Sequence, residues 1–401
     1  MKYIVILGDG MADEPIAEIN HQTILEYAQT PMMDMLSKKS EIGLAHTIPK
    51  GMKPGSDTAN LAVLGYNPEK YYTGRSPLEA LSIGVPMKDT DIALRCNLVT
   101  LSDDPVAYEE KKILDHSSGE ISTEDAAILI DAVKKELETD TYKFYVGTSY
   151  RHLTIWDHGN VIELTPPHDI LGNVISDKLP TEPYLREMMK KSYDILNKHP
   201  INIERAKKGL NKANSLWFWG AGTRPNLDSF EEQTGLKAAM ISAVDLLKGI
   251  AVGAEMKNII VEGADGTLET NYEGKAQAAV DALLQGYDFV YVHVEAPDEM
   301  GHQGSLKRKI KAVEYLDQRV IKPVYEKLKA NHIDFRMLVC PDHPTPIAVR
   351  THTSDPIPYM IYDSTKEEEH TWNYNEKDAK TSGNYIEEGY QLRNHFILKS
   401  E

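Results

Sequence analysis

The sequence predicts an α/β protein with a mostly parallel sheet and an inserted α+β region. Three short apolar runs, at residues 3–7, 289–294 and 337–340, are each followed within two residues by an acidic side chain. Buried parallel strands have this character, because both of their faces are covered. Helical patterns separate the runs, and alternation of strand and helix implies parallel pairing. Ligands of such sheets bind beyond the carboxyl ends of the strands.

The predicted helices follow from their apolar spacing. Residues 23–38 form one candidate, which Pro31 interrupts, and residues 275–285 are rich in alanine and leucine and stop at Gly286. Residues 307–330 place apolar side chains at steps of three and four, which is the stripe of an amphipathic helix.

The middle of the chain has a different pattern. Its strand-like runs are short and divided by polar turns, at residues 92–98, 142–146, 153–156 and 161–164. A single strong helical pattern, residues 122–137, lies among them. We therefore expect residues 72–206 to form an α+β insertion, and residues 1–71 and 207–401 to form one discontinuous catalytic domain.

Composition limits the possible partners. The 401 residues carry 44 basic and 61 acidic side chains, a net charge of −17. Proteins that bind nucleic acid or anionic membranes by bulk electrostatics have the opposite sign, so neither is expected as a partner. Two cysteines, Cys96 and Cys340, are typical of a reducing cytoplasm. No stretch of about 18 consecutive apolar residues predicts a membrane span, and Asp9 comes too early for a signal peptide.

Carboxylates and imidazoles cluster near the predicted strand ends. Asp298 and His302 are four residues apart, Asp342 and His343 follow a strand, and His352 comes nine residues later. Such donors without a thiolate cluster suit Mn²⁺, Zn²⁺ or Fe²⁺. Each pair alone is compatible with a surface cap or an ordinary hydrogen bond, but three of them within about 55 residues favour a metal site.

Ser56 is the candidate nucleophile. It lies in a small-residue turn, Pro54-Gly55-Ser56-Asp57, that enters a short helical pattern. The positive end of the helix dipole would favour an alkoxide and attract a phosphoryl group. No Gly-x-Ser-x-Gly elbow is present, so a metal is the expected activator. The alternative is that Ser56 only caps the helix.

Positive charge is needed locally if this acidic protein binds an anionic metabolite. The candidates lie beside glycines or at the ends of apolar runs: Arg75, Arg151 with His152, Arg224 and Lys248. The sequence has no Gly-x-x-x-x-Gly-Lys-Ser/Thr motif, which excludes a P-loop kinase.

Several motifs together resemble those of the archaeal-type cofactor-independent phosphoglycerate mutases of the alkaline phosphatase superfamily. They are Gly8-Asp9-Gly10-Met11-Ala12-Asp13, Pro54-Gly55-Ser56-Asp57, Gly74-Arg75-Ser76-Pro77, Tyr150-Arg151-His152, His293 to His302 and Pro341-Asp342-His343. The resemblance runs nearly end to end. It implies an alkaline-phosphatase-like sheet flanked by helices, with residues 72–206 as a cap domain.

The resemblance also implies two divalent metal ions and no 2,3-bisphosphoglycerate. Manganese is the expected metal, and zinc, magnesium or cobalt are alternatives. The implied ligands of one ion are Asp9, Ser56, Asp342 and His343, and those of the other are Asp298, His302 and His352. Arg151 and His152 match a substrate-facing motif, and Arg75, Arg224 and Lys248 are further candidates for substrate binding.

The implied reaction is the interconversion of 3-phosphoglycerate and 2-phosphoglycerate in glycolysis and gluconeogenesis. Ser56 would attack phosphorus and form a phosphoserine, and the cap would retain glycerate and keep water out. A phosphatase, or another mutase such as a phosphopentomutase, is the alternative on the same metal core. The lack of an ATP site counts against a homoserine kinase, and Ser56 counts against a purely metal-binding protein.

Overall fold

A computed structural model describes residues 1–398. The chain divides into two compact units, one formed by Met1–Tyr72 with the described residues from Asn226 onward, and the other by Thr73–Pro225. In the described residues, no helix has the length and apolar character to cross a lipid bilayer.

The strands and helices are given in chain order. The strands are β1 (Lys2–Gly8), β2 (Glu41–Ala45), β3 (Asp91–Leu101), β4 (Ile113–Asp115), β5 (Tyr142–Thr148), β6 (Arg151–Asp157), β7 (Ser215–Thr223), β8 (Ala238–Ile241), β9 (Lys257–Asn258), β10 (Phe289–Val294), β11 (Phe335–Cys340), β12 (Ile357–Asp363) and β13 (Tyr385–Ile386). The helices are α1 (Ile24–Tyr27), α2 (Pro31–Ser37), α3 (Ser56–Val63), α4 (Pro68–Tyr71), α5 (Arg75–Ser82), α6 (Thr123–Leu137), α7 (Pro183–Leu196), α8 (Pro200–Lys207), α9 (Phe230–Thr234), α10 (Asp245–Gly253), α11 (Tyr272–Leu284), α12 (Ala296–His302), α13 (Leu306–Leu316), α14 (Lys322–Ala330), α15 (Glu376–Thr381) and α16 (Leu392–Phe396).

The first unit is built on an eight-stranded sheet of order β13-β2-β12-β11-β1-β10-β8-β9. The three strands predicted from apolar runs are neighbours: β1 pairs in parallel with β10 on one side and β11 on the other. Ile6 lies opposite Val292 and Val339, and all three are buried. Helices α11, α13 and α14 contribute apolar side chains to the same core. The predicted class, a mostly parallel sheet flanked by helices, is confirmed.

Two features of this unit differ from the sequence prediction. Strands β12 and β2 pair antiparallel, which makes the sheet mixed, and neither strand was predicted. The predicted helix over residues 307–330 is divided by a π-helical turn, Asp317–Ile321. The buried Asp317 carboxylate accepts hydrogen bonds from the backbone N–H groups of Met32 and Met33, and so caps α2.

Pro31 explains why the predicted helix over residues 23–38 is two helices. It is the first residue of α2, where proline fits because the missing N–H would have no partner within the helix. Helix α1 ends before it, at Tyr27.

The second unit has a five-stranded antiparallel sheet. Its order is β4-β3-β6-β5, and β7 also pairs with β3. Helices α6 and α7 pack on this sheet through a separate apolar core. The unit extends to Pro225, beyond the predicted limit of residue 206, because β7 forms part of its sheet.

The predicted strand at residues 161–164 was wrong. This segment is irregular and has no strand partner. Two prolines follow it, and the indole Nε1–H of Trp217 donates to the Thr165 carbonyl at 2.8 Å. A side-chain hydrogen bond therefore fixes the neighbouring backbone where a strand ladder was expected.

Candidate active site

The carboxyl ends of three adjacent strands meet at one edge of the first unit's sheet. Asp9 follows β1, helix α12 with Asp298 and His302 follows β10, and Asp342 with His343 follows β11. Since these strands are parallel neighbours, residues that are far apart in sequence come together at that edge. His352 lies in the loop between β11 and β12.

We call Asp9, Asp342 and His343, together with Ser56, the inner group. The carboxylates and the imidazole offer ligand atoms within 4.8 Å of one another, and all three side chains are buried. His343 Nε2 lies 3.5 Å from Asp9 Oδ1 and 3.3 Å from Asp342 Oδ2. Ser56 Oγ lies 3.0 Å from the same nitrogen. The inner group therefore places a hydroxyl beside a compact cation-binding arrangement.

His293 fixes the orientation of Asp9. Its Nε2 lies 2.8 Å from Asp9 Oδ2, and its Nδ1 lies 3.2 Å from Ser242 Oγ. Burial lowers the pKa of His293 to about 4, so the ring is neutral and donates its single proton to the carboxylate. The other oxygen, Asp9 Oδ1, is buried without a hydrogen-bond partner among the described residues.

Asn60 connects Ser56 with Asp342. Its amide Nδ2 donates to the Ser56 carbonyl and to Asp342 Oδ2, each at 2.8 Å, while the Tyr291 hydroxyl donates to its Oδ1 at 2.7 Å. The backbone N–H of Gly10 donates to Asp342 Oδ1 at 3.1 Å. Ser56 and Asp342 are thereby held in one hydrogen-bond network.

Ser56 is the first helical residue of α3, and Gly55 occupies the N-cap position. The Thr58 N–H in the first turn donates to Asp57 Oδ1 at 2.8 Å, and no hydrogen bond from this turn goes to the Ser56 hydroxyl. It is directed to His343 instead. This geometry disagrees with the capping alternative and leaves the hydroxyl at the positive end of the helix.

We call Asp298, His302 and His352 the outer group. The Nε2 atoms of His302 and His352 each lie 3.2 Å from an oxygen of Asp298, and 3.1 Å from each other. His302 Nδ1 lies 3.0 Å from the Arg350 carbonyl, which can only accept, so Nδ1 carries a proton. Two ring nitrogens and one carboxylate are thus close enough together to bind the same divalent cation.

Electrostatics distinguish the two groups. Burial, reinforced by the charges of Asp342, Asp298 and Glu295, holds the pKa of Asp9 well above its ordinary value. Burial also raises the pKa of Asp298, but hydrogen bonds from His302 and His352 outweigh it and the net pKa lies well below the ordinary value. The inner carboxylates repel one another, whereas the outer carboxylate is already paired with imidazoles.

The donor set fits divalent metal ions. Hard carboxylate oxygens and borderline imidazole nitrogens are present in both groups, and no cysteine belongs to either of them. Asp9 Oδ1 is a buried acceptor that lacks a partner, which a cation would satisfy. Among the described residues, the sets whose ligand atoms lie within 4.8 Å of one another are Asp9, Asp342 and His343, and Asp298, His343 and His352. His302 belongs to neither of these two sets, although its Nε2 lies 3.2 Å from Asp298 Oδ2.

The predicted cationic residues are not in these groups. Lys248 belongs to α10, where its Nζ lies 3.8 Å from Asp245. In the second unit, Arg224 forms an exposed ion pair with Asp89 at 3.1 Å, and Arg75 Nε lies 3.3 Å from Glu79.

Arg151 and His152 begin strand β6 of the second unit. The Arg151 guanidinium lies 5.0 Å from the centre of the Tyr150 ring. His152 is buried, its Nδ1 accepts from the Gly147 N–H, and its Nε2 has no hydrogen-bond partner among the described residues. Burial lowers the pKa of His152 to about 4, so this ring is a neutral donor at Nε2.

Sequence reasoning missed three residues that form hydrogen bonds with the predicted ligands: Asn60, His293 and Thr345, whose Oγ1 lies 2.5 Å from Asp298 Oδ1. Two of them carried a signal. Asn60 is one helical turn after Ser56, and His293 is a polar residue inside an otherwise apolar strand. Such a histidine requires a buried partner, and the acidic residue that ends the adjacent strand was the candidate.

Comparisons with known proteins agree with this geometry. Residues 37–202 match the family described as 2,3-bisphosphoglycerate-independent phosphoglycerate mutase. The chain is 50% identical to the Methanosarcina acetivorans protein of that name over 367 residues, which cover 90% of each chain.

Two solved structures are also similar. One is a Pyrococcus horikoshii protein with a TM-score of 0.81 and 32% identity, covering 99% of this chain and 96% of the other. The other is the cofactor-independent phosphoglycerate mutase from Thermoplasma acidophilum, with a TM-score of 0.65, 25% identity and 99% coverage of both chains. The resemblance seen in the motifs is confirmed, and this chain belongs to the family of 2,3-bisphosphoglycerate-independent phosphoglycerate mutases.

Proposed function

We propose that the chain interconverts 3-phosphoglycerate and 2-phosphoglycerate through a phosphoserine formed at Ser56. The main support is the position of the Ser56 hydroxyl, 3.0 Å from His343 Nε2 at the start of α3 and next to the buried carboxylates of the inner group. The names of the relatives support the choice of substrate. Because Ser56 itself would carry the phosphoryl group between the two positions, no 2,3-bisphosphoglycerate is needed.

The inner and outer groups would each hold one divalent cation, and we propose manganese as the native metal. When bound, the cations would offset the charge of the phosphoryl group and lower the pKa of a coordinated hydroxyl. The carboxylate–imidazole composition of both groups supports manganese, with zinc, magnesium and cobalt as alternatives.

In the forward direction, the Ser56 hydroxyl loses its proton and its Oγ forms a bond to phosphorus. The bond between phosphorus and the 3-oxygen of the substrate breaks, and that oxygen takes up a proton. The 2-hydroxyl of the retained glycerate then loses its proton and its oxygen forms a bond to phosphorus. The bond between phosphorus and Ser56 Oγ breaks, and Oγ takes up a proton. Asn60 would hold Ser56 and Asp342 together through both steps. The positive end of α3, where Ser56 is the first residue, would favour the negative charge of the phosphoryl group.

We further propose that Arg151 and His152 contact glycerate. The unpartnered Nε2–H of His152 is suited to a carboxylate or hydroxyl oxygen, and Arg151 to the carboxylate. Arg224 and Lys248 are candidates for binding the phosphoryl group, and Arg75 is a further candidate for binding the substrate. Retention of glycerate separates a mutase from a phosphatase, so these contacts determine which product forms.

A cytoplasmic location is also part of the proposal. Both cysteines, Cys96 and Cys340, are buried and unpaired, which is compatible with a reducing compartment.

The test is a product analysis. Metal-depleted protein would be supplied with Mn²⁺ and 3-phosphoglycerate, without 2,3-bisphosphoglycerate, and both 2-phosphoglycerate and free phosphate would be measured. We expect 2-phosphoglycerate as the main product and no turnover in the metal-depleted control. Free phosphate as the main product would contradict the mutase and indicate a phosphatase. The assay would be repeated with zinc, magnesium and cobalt. If none of the four metals gave either product, both the mutase and the phosphatase would be contradicted.

A further inference from the structure

Thr345 lies between the two ligand groups and belongs to neither. Its side chain is fully buried, and its Oγ1 lies 2.5 Å from Asp298 Oδ1 in the outer group. The same oxygen lies 3.2 Å from His343 Nδ1 in the inner group. One hydroxyl therefore contacts a carboxylate of one group and an imidazole of the other.

The direction of these hydrogen bonds follows from the neighbouring acceptors. His343 Nδ1 also lies 3.2 Å from the Pro344 carbonyl, which can only accept, so Nδ1 carries the proton. Thr345 Oγ1 then accepts from His343 and donates its own proton to Asp298 Oδ1. In this arrangement the Nε2 lone pair of His343 is left free and faces the inner carboxylates and Ser56.

Lys309 fixes the backbone of Thr345. Its fully buried Nζ donates to the Thr345 carbonyl at 2.9 Å, to Asp13 Oδ2 at 2.9 Å and to the Ala12 carbonyl at 3.1 Å. The loop after β1 and the loop after β11 are thus joined through one ammonium group. Space is also restricted, because a Cβ added at Gly301 would lie only 2.5 Å from the Thr345 carbonyl oxygen.

We propose that Thr345 is a positioning residue that links the two metal sites: its hydroxyl, together with the Pro344 carbonyl, holds His343 in the Nε2 ligand form, and it orients Asp298 at the same time. This inference rests on the proposed two-metal function. Residues that hydrogen-bond to metal ligands fix the tautomer and orientation of those ligands, and their loss costs roughly 10–100-fold in metal affinity. Because Thr345 contacts both groups, its removal should weaken both binding events.

The experiment compares three variants by calorimetric titration of the metal-depleted protein with Mn²⁺. Thr345→Val removes the hydroxyl and keeps the shape, and Thr345→Ser keeps the hydroxyl. Thr353→Val is the matched control, because the Thr353 hydroxyl is buried without a hydrogen-bond partner among the described residues. We expect Thr345→Val to weaken both Mn²⁺ binding events by about 10–100-fold, and Thr345→Ser and Thr353→Val to bind as the wild type does.

A second measurement reads the tautomer directly. Long-range ¹H–¹⁵N correlation spectra of the metal-depleted wild type should show His343 protonated at Nδ1, and this result does not depend on the folding of any variant. An Nε2-protonated His343 would overturn the inference. So would wild-type affinity in Thr345→Val, or weakening of only one binding event. Binding of fewer than two ions by the wild type would instead contradict the proposed function itself, before Thr345 is considered.

Discussion

The inner and outer groups both combine carboxylate and imidazole side chains, but they differ in burial. His343 is completely buried, whereas the side chains of His302 and His352 are 36% and 20% exposed. The inner group includes Ser56, the proposed nucleophile, and mutually repelling carboxylates, and the outer group pairs one carboxylate with two imidazoles. Burial thus gives the inner group a dry site for charge-dependent chemistry, while exposure gives the outer group a route for metal exchange.

The largest expected effect comes from replacing Ser56, the proposed nucleophile of the inner group. Ser56→Ala should reduce turnover by at least about 10³-fold, because no other hydroxyl takes the place of the nucleophile. Metal binding should change little, since three inner ligands remain. Turnover, phosphoenzyme trapping and metal content would be measured together. Ser37→Ala is the control, because Ser37 is a buried serine on α2 whose hydroxyl donates to the Asp34 carbonyl. Turnover of Ser56→Ala near that of the control would remove Ser56 from its role.

A pair of ligand substitutions tests the comparison directly. Asp9→Asn removes one of the repelling inner carboxylates, so the metal-free protein should melt a few degrees higher, on the order of 1 kcal/mol, while inner metal binding is lost. His302→Gln removes an attractive partner of Asp298, so the metal-free protein should gain no stability and only outer binding should weaken.

Melting temperatures in a chelator and calorimetric stoichiometry would separate the two variants. A metal-free Asp9→Asn protein less stable than the wild type would show that repulsion does not dominate the inner group. Equal loss of both binding events in His302→Gln would show that the groups are not distinct.

The smallest expected effect is on proton release. The hydrogen bond to Asp298 raises the pKa of His302 to about 9, so in the metal-free protein this ring is charged at neutral pH. Cation binding to the outer group should therefore release a proton, and its affinity should rise with pH until about 9. Burial lowers the pKa of His343, so this inner ring is neutral already. Calorimetry in buffers of different ionisation enthalpy measures the protons released.

The raised pKa of His302 also determines how the stability of the metal-free protein changes with pH. Because the pKa of His302 is raised in the folded state, its protonated ring stabilises the metal-free protein. This stabilisation is complete below about pH 6.5, the ordinary pKa of histidine, and it is lost as the pH rises through about 9. The effect is small because His302 is partly exposed. A metal-free melting temperature that rose between these pH values in the wild type but not in His302→Gln would contradict this sign.

Much of the first unit was predictable because its signals are local. The runs of β1, β10 and β11 are uniformly apolar and end in acids, which predicts both the strands and the edge where the ligands meet. The antiparallel pairing of β2 with β12 was not predictable in this way, because the two strands are more than 300 residues apart in sequence. Thr345 was missed for a related reason, since a single threonine has no sequence pattern around it that predicts its hydrogen bonds to Asp298 and His343.

The position of β1 in the sheet has a consequence for biosynthesis. This strand leaves the ribosome before its two neighbours in the sheet, β10 and β11, which come more than 280 residues later. At roughly 5–20 residues per second, its apolar side chains wait on the order of 15–60 s for their partners. The second unit is continuous in sequence and has its own core, so it can complete its fold while the nascent first unit still needs protection from aggregation. The metal-binding edge then assembles last, after translation has delivered His352.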